Sequence, residues 1–186
     1  MLSKDRNEFE LSGWVLRVVE NYDELCDFDC GNDDLNEFFQ KDCFIQRQEL
    51  LHQTYAILEA TVEEHLPVAL ISVCNDAIRK EKILDWLGFK NTKKVYPSYP
   101  AVKIARLGVK NEFRGKQIGT HTINMMKKLF TTNNRTGCRF LTVDAYNEPE
   151  ILKFYQNNDF QFFSDKDQKK AQRAMFFDLK RLVINK

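Results

Sequence analysis

The run AVKIARLGV (101–109) feeds through a glycine-bearing turn, KNEFRGKQIG (110–119), into THTINMMKKLFTTNN. The next apolar stretch is RFLTVDA (139–145). A β-branched run, a turn, a 3.6-residue apolar period and a second β-rich run in that order commit the middle of the chain to strand–helix–strand. The helix is expected to bury Ile123, Met126, Leu129 and Phe130. Its opening turn concentrates Arg114, Gly115, Lys116 and Gly119. At such a turn, unbonded backbone N–H groups and the positive end of the helix dipole converge, which suits an anion. A glycine turn can equally serve only to change direction. The spacing is neither a Walker A loop, since Thr120 and His121 follow Gly119, nor GxGxxG. The amides from Gly115 to Thr120, with Arg114 and Lys116 beside them, can still cradle a diphosphate.

The flanking sequence supplies the rest of a layered domain. GWVLRVVENY (13–22) reads as a first strand, and DCGNDDLNEFFQKD as a helix capped by Asn32, Asp33 or Asp34. Leu35, Phe38 and Phe39 fall on one face of that helix, and a second helical stretch is expected from Phe44 to Leu51. TYAILEATV and LPVALISVCND form a hairpin. EPEILKFYQNN (148–158) is helical with Pro149 in its first turn, and FQFFS and RAMFFDL close the chain as strands. The order β, α, α, β, β, β, α, β, α, β, β predicts an α/β (α+β) fold, a mixed sheet flanked by helices. The 186 residues are expected to form a single domain (1–186). Residues 77–100 fit no simple element. They carry six Lys/Arg against two acids, interleaved with Trp86, Phe89, Tyr96 and Tyr99, and form a candidate binding insertion.

Composition excludes several classes. No apolar run approaches a membrane span, and MLSKDRNEFE lacks the apolar core of a signal peptide, so a cytoplasmic protein with no membrane partner is expected. Five cysteines without a CxxC pair argue against a disulfide framework or a zinc site; buried free thiols are expected, and no metal. Charge is asymmetric. Residues 1–64 hold 5 Lys+Arg and 16 Asp+Glu, net −11, whereas 65–186 hold 23 and 11, net +12. The basic part suits a polyanion, either a cofactor phosphate or nucleic acid; two solvated faces that cancel would look the same.

Strand, R-G-x-x-I-G, helix, strand, F-Y-bearing helix and strand together resemble the GNAT superfamily of N-acetyltransferases. The likeness follows element order over about residues 10–182 and is most specific from Ala101 to Phe160. Arg114 and Gly119 match the ends of the family's Q/R-x-x-G-x-G/A motif, which binds the pyrophosphate of acetyl-coenzyme A; Gln117 stands where its middle glycine is usual. The resemblance implies a mostly antiparallel central sheet, acetyl-CoA as co-substrate, and cofactor contacts from Leu107, Gly108, Val109, Arg114, Gly115, Lys116, Gln117, Ile118, Gly119 and Thr120. It implies a β-strand that splays at 107–109, where the N–H of Val109 or Leu107 would polarise the thioester oxygen. Tyr155 of LKFYQNNDF matches the tyrosine that protonates the departing thiolate, with an ordinary pKa of about 10 expected. Asp159 replaces the glycine of that pattern. Asn147 lies one position further from the tyrosine than the family's asparagine and is carried over more weakly as a cofactor contact.

No acid lies within AVKIARLGV to act as general base, and His121 reads as solvated or packed. A water relay, or an α-amine with pKa near 8 in place of a lysine near 10.4, would suffice. FDCGNDDLNEFFQKD, through Phe28, Cys30, Gly31, Leu35 and Phe38, resembles the GNAT subgroup that includes toxins acetylating aminoacyl-tRNA. That implies tRNA as acceptor and an antitoxin partner; a homodimer is a further arrangement left open. The alternatives are a GNAT enzyme acting on a small-molecule or peptide amine, and a non-enzymatic CoA-binding module.

Overall fold

Short β-rich segments at both ends of the chain extend the central strand–helix–strand unit into a sheet of eight strands, ordered β1-β2-β3-β4-β5-β6-β8-β7. The computed structural model describes residues 8–61, 66–83, 96–132 and 137–183. The strands are β1 (Glu8–Leu11), β2 (Trp14–Val18), β3 (Gln53–Glu59), β4 (Ala69–Arg79), β5 (Ser98–Val109), β6 (Phe140–Tyr146), β7 (Gln161–Phe162) and β8 (Gln172–Asp178). β5 and β6 pair parallel. The pairs β1–β2, β2–β3, β3–β4, β6–β8 and β7–β8 are antiparallel.

Helices α1 (Asp33–Glu37) and α2 (Cys43–Gln48) are joined by a π-helical turn, Phe38–Asp42. Asn32 caps α1 by accepting from the Leu35 amide at 3.0 Å. Helix α3 (Ile118–Thr131) follows the glycine turn, and α4 (Pro149–Asn157) carries Tyr155.

Two compact units divide the chain. One takes it as far as Cys74, together with Ala105–Leu129; the other takes Asn75–Ile104 and the chain from Phe130. Strands β4 and β5 contribute to both. In the first unit the buried residues include Leu25, Phe28, Phe39, Ala56, Leu58 and Leu70. Phe28 and Phe39 meet edge to face, as do Phe38 and Phe39. In the second, Ile78, Ile83, Tyr99, Ala101, Phe140 and Phe176 pack together, with Phe163 stacked on Phe176 at 4.7 Å.

The structure departs from the expected elements at four points. A strand precedes GWVLRVVENY: β1 pairs with β2 through Ser12 and Gly13, both at positive φ, as a two-residue hairpin requires. The buried residues of α3 are Ile118, Thr122, Ile123, Met125, Met126 and Lys127, while Leu129 and Phe130 are only half-buried. The helix begins at Ile118, inside the expected turn, which moves the stripe towards the N-terminus. Thr122 joins it because its hydroxyl donates to the Ile118 carbonyl at 2.8 Å. The 77–100 segment is narrower than expected, since β4 runs to Arg79 and β5 starts at Ser98. Tyr99 is buried and Tyr96 exposed; Trp86, Phe89, Lys93 and Lys94 lie outside the described residues. Cysteines 30, 43 and 138 are buried free thiols, but Cys26 is exposed and Cys74 half-buried.

Candidate active site

Strand β5 delivers the chain to the glycine turn. Its ladder with β6 runs from Ala101 opposite Phe140 to Ile104 opposite Val143, and β5 then continues to Val109. Leu107 and Val109 are half-buried and Gly108 is buried. A Cβ on Gly108 would lie 3.1 Å from the Phe28 ring, 3.2 Å from Cys30 Sγ and 3.2 Å from the Phe39 ring. Glycine is therefore required there by close approach.

Past Val109, a single 3₁₀ turn (Asn111–Phe113) leads to Arg114–Gln117, all exposed. Gly115 has φ +76° with nothing near its absent Cβ, so its role is conformational. Gln117 has φ +61°. The amides of Arg114 and Lys116 donate back to Asn111 and Phe113, and His121 donates to Gln117. Among the described residues, the amides of Gly115, Gln117, Ile118 and Gly119 donate to no protein acceptor. Ile118 and Gly119 open the 14-residue helix α3, so these donors stand at its positive end. Lys116 Nζ lies 4.7 Å over the Phe113 ring. Thr120 is half-buried in the first turn of α3. The geometry is that of an anion cradle.

The FDCGN stretch holds this turn from behind. Arg114 Nη2 donates to the Cys30 carbonyl at 2.5 Å. The Asn111 amide donates to the Asp29 carbonyl at 3.3 Å. The Asp29 carboxylate accepts from the Gly31 amide at 2.7 Å and from Asn36 Nδ2 at 2.8 Å. These bonds pull its pKa below the usual carboxylate value, the Gly31 amide first. Asn36 Oδ1 in turn accepts from the Cys30 amide at 2.9 Å. Gly31 sits so close to Asn111 that a Cβ would lie 2.6 Å from its Oδ1. Phe28, Cys30 and Gly31, with Leu35 and Phe38, are the residues that carry the sequence resemblance. Their physical work is to mould the strand end and the turn. Asp29, Asn36 and Asn111, which complete the clamp, went unnoticed, because hydrogen bonds between distant segments leave no periodic trace.

Tyr155 lies in the second unit, buried between Phe154 and Phe160 with ring centroids 5.1 and 5.4 Å away. The expected ordinary pKa is corrected: burial alone drives it far above the usual tyrosine value. The phenol is thus held neutral. The Phe160 amide donates to the Tyr155 carbonyl at 3.0 Å and the Asp159 amide to Gln156 at 2.9 Å, closing the helix through Asp159 at φ +62°. Asn147 donates both hydrogens of its side-chain amide, to the carbonyls of Gln168 and Lys170 at 2.8 Å each. His121 lies beside Trp14, ring centroids 6.3 Å apart. Among the described residues no group of His, Cys, Asp and Glu is arranged to hold a metal ion.

No family model matches the sequence, and no curated protein matches it. Solved structures do. A tyrosine-to-phenylalanine mutant of KacT superposes with TM-score 0.72 at 15% identity, over 94% of this chain and 100% of that one. AtaT complexed with acetyl-methionyl-tRNAfMet gives 0.70 at 19%, over 92% and 98%. An AtaT mutant toxin bound to the C-terminus of the antitoxin AtaR and acetyl-CoA gives 0.65 at 18%, over 94% and 100%. The chain has the GNAT fold. Gln117 and Asp159, the two departures from the motifs that the sequence resembles, both have a left-handed backbone.

Proposed function

We propose that the chain is an acetyl-CoA-dependent N-acetyltransferase, and that its acceptor is the α-amine of an aminoacyl-tRNA. The observation that carries the reading is the turn between β5 and α3. It offers the unbonded amides of Gly115, Gln117, Ile118 and Gly119 at a helix N-terminus, beside Arg114 and Lys116, in a fold whose solved neighbours include one bound to acetyl-CoA. There the pyrophosphate binds, with Thr120 in the same first turn. Leu107, Gly108 and Val109 lie along the pantetheine arm, and the Val109 or Leu107 amide polarises the thioester oxygen. The amine nitrogen attacks the thioester carbon, the C–N bond forms and the C–S bond breaks. Tyr155 gives its proton to the departing sulfur and recovers one from the nitrogen, which has become cationic on forming the C–N bond. A phenol kept neutral by burial is always charged with that proton at physiological pH. Asn147 supports the loop it bonds.

The tRNA reading draws on the net +12 of residues 65–186 and on the likeness to AtaT in its tRNA complex. An antitoxin partner follows the likeness to AtaT bound to AtaR; a homodimer and a cytoplasmic location are part of the same proposal. No helix among the described residues is long and apolar enough to cross a membrane. A small-molecule or peptide amine is the second reading, favoured by the net −11 of residues 1–64, which attracts cations.

The test offers radiolabelled acetyl-CoA with charged total tRNA, with the same tRNA deacylated, and with a pool of small amines and peptides. Label in the RNA fraction that disappears on deacylation is the expected result; label only in the small-amine pool overturns the tRNA acceptor. Tyr155→Phe should lower kcat by about 10²-fold or more while acetyl-CoA still binds. A CoA-binding module would show no transfer to lose.

A further inference from the structure

The connection between β7 and β8 contains SDKDQKKA (164–171), a polar segment of the kind that ordinarily moves freely in solvent. Here it is tied down along its length. Arg173, in β8 and with a side chain only 9% exposed, donates from Nε to Asp167 Oδ1 at 3.1 Å and from Nη2 to the Ser164 carbonyl at 3.1 Å. Its guanidinium lies 3.7 Å from the centroid of the Phe162 ring. Asp167 Oδ2 accepts from the Ala174 amide at 3.1 Å. The Ser164 hydroxyl accepts from the Lys166 amide at 3.0 Å, and the Lys170 amide donates to the Asp167 carbonyl at 2.9 Å. Asn147, the residue after β6, holds the carbonyls of Gln168 and Lys170, and its own amide donates to the Ala171 carbonyl at 2.9 Å.

A buried ion pair is costly to desolvate, and what it specifies here is a fixed loop. That loop presents positive charge. Asp167 is neutralised internally by Arg173, and Asp165 Oδ1 lies 3.9 Å from the same guanidinium. Lys166, Lys169 and Lys170 are exposed, and none of them forms an ion pair among the described residues. The unit that holds the loop, residues 75–104 with 130–186, carries 17 Lys+Arg against 10 Asp+Glu, so the field around the loop has the same sign.

We propose that the β7–β8 loop is a docking surface for the phosphate backbone of an RNA acceptor, with Lys166, Lys169 and Lys170 neutralising its phosphates. This rests on the aminoacyl-tRNA reading above and names where such an acceptor is held. Lysine ammonium groups meet phosphates as point charges, so the contact positions the RNA without reading its sequence. The neighbouring rings read no bases, since Phe162 carries Arg173 and Phe163 stacks on Phe176. A loop already held in one conformation loses little freedom on binding. A lipid surface fits less well: among the described residues, no exposed large apolar side chain lies in 163–173 to enter it. Asn147 stands two residues before α4, so the loop is tied to the segment that leads into the helix of Tyr155.

The test measures binding of uncharged total tRNA by fluorescence anisotropy between ~50 and ~200 mM salt, where phosphate contacts appear as a log–log slope. Combining Lys166→Gln, Lys169→Gln and Lys170→Gln should flatten that slope by about 2 and raise Kd at the lower salt by about 10-fold or more. Arginine at the same three positions should keep both. Acetyl-CoA affinity by calorimetry and the melting temperature should change little in either variant. An unchanged slope in the glutamine variant overturns the proposal. So does an equal flattening in Lys180→Gln/Arg181→Gln, exposed cations elsewhere in the same unit, because it would assign the effect to overall charge. Polyglutamate or phosphatidylserine vesicles that compete as well as RNA at equal charge overturn the choice of partner. The enzyme reading fails separately. Wild-type protein that binds tRNA through these lysines yet transfers acetyl to no amine defeats that reading and leaves the docking surface standing. Transfer to aminoacyl-tRNA with an unchanged KM in the glutamine variant defeats the surface alone.

Discussion

Gln117 and Asp159, which depart from the glycines of the motifs that the sequence resembles, both have φ near +60°. The left-handed region costs a residue with a Cβ about 1 kcal/mol, less for Asp, whose short side chain tolerates it. The strain shows how strongly the surroundings impose that backbone. Restoring glycine should release that strain. Gln117→Gly is expected to raise unfolding stability by about 0.5–1 kcal/mol in urea titration, the gain being reduced by glycine's larger unfolded-state entropy. Asp159→Gly should gain less. No gain at Gln117 would mean that its side chain contributes a compensating contact. In the sequence both positions are departures from a motif; the dihedral angles show that each has a left-handed backbone.

At the scale of elements, the meeting of β5 with the FDCGN loop decides the shape of the turn. Gly108→Ala places a methyl 3.1–3.2 Å from Phe28, Cys30 and Phe39. Two of those three are aromatic rings with little room to move, so a loss of ~1–3 kcal/mol is expected. The measurement is a double-mutant cycle with Phe28→Leu. Coupling of at least ~0.5 kcal/mol with a favourable sign would show that the clash is with that ring. The strand–helix–strand unit, the β3–β4 hairpin and the α1 cap were legible because each is written in local periodicity or capping chemistry. The clamp from Asp29, Asn36 and Asn111 was not, since it joins residues far apart in sequence. EFEL, the β1 segment, carries too short an alternation to declare itself without its partner. The π-helical turn at Phe38–Asp42 likewise has no sequence signature; it lets Phe38, Phe39 and Cys43 all be buried.

For the molecule as a whole, buried phenols set the alkaline limit. Tyr22, Tyr55 and Tyr155 all have pKa values raised, chiefly by burial. Above pH 10 the unfolded chain releases these protons and the folded chain retains them, so stability falls as pH rises. Below that, these groups leave stability unchanged. Urea unfolding at pH 9 and pH 10.5 should show the drop, and Tyr155→Phe should make it shallower. The same burial means that the basic limb of the kcat profile below pH 10 cannot come from Tyr155. The clamp behind the turn has an evolutionary reading as well. Gly31 leaves room for the side chain of Asn111, and Gly108 for the rings and thiol of the loop that bears Gly31. These positions cannot drift one at a time: a larger residue at 31 demands a smaller one at 111, and a side chain at 108 demands slimmer neighbours at 28 and 39. Across lineages that share this turn, substitutions at these sites should arrive in pairs.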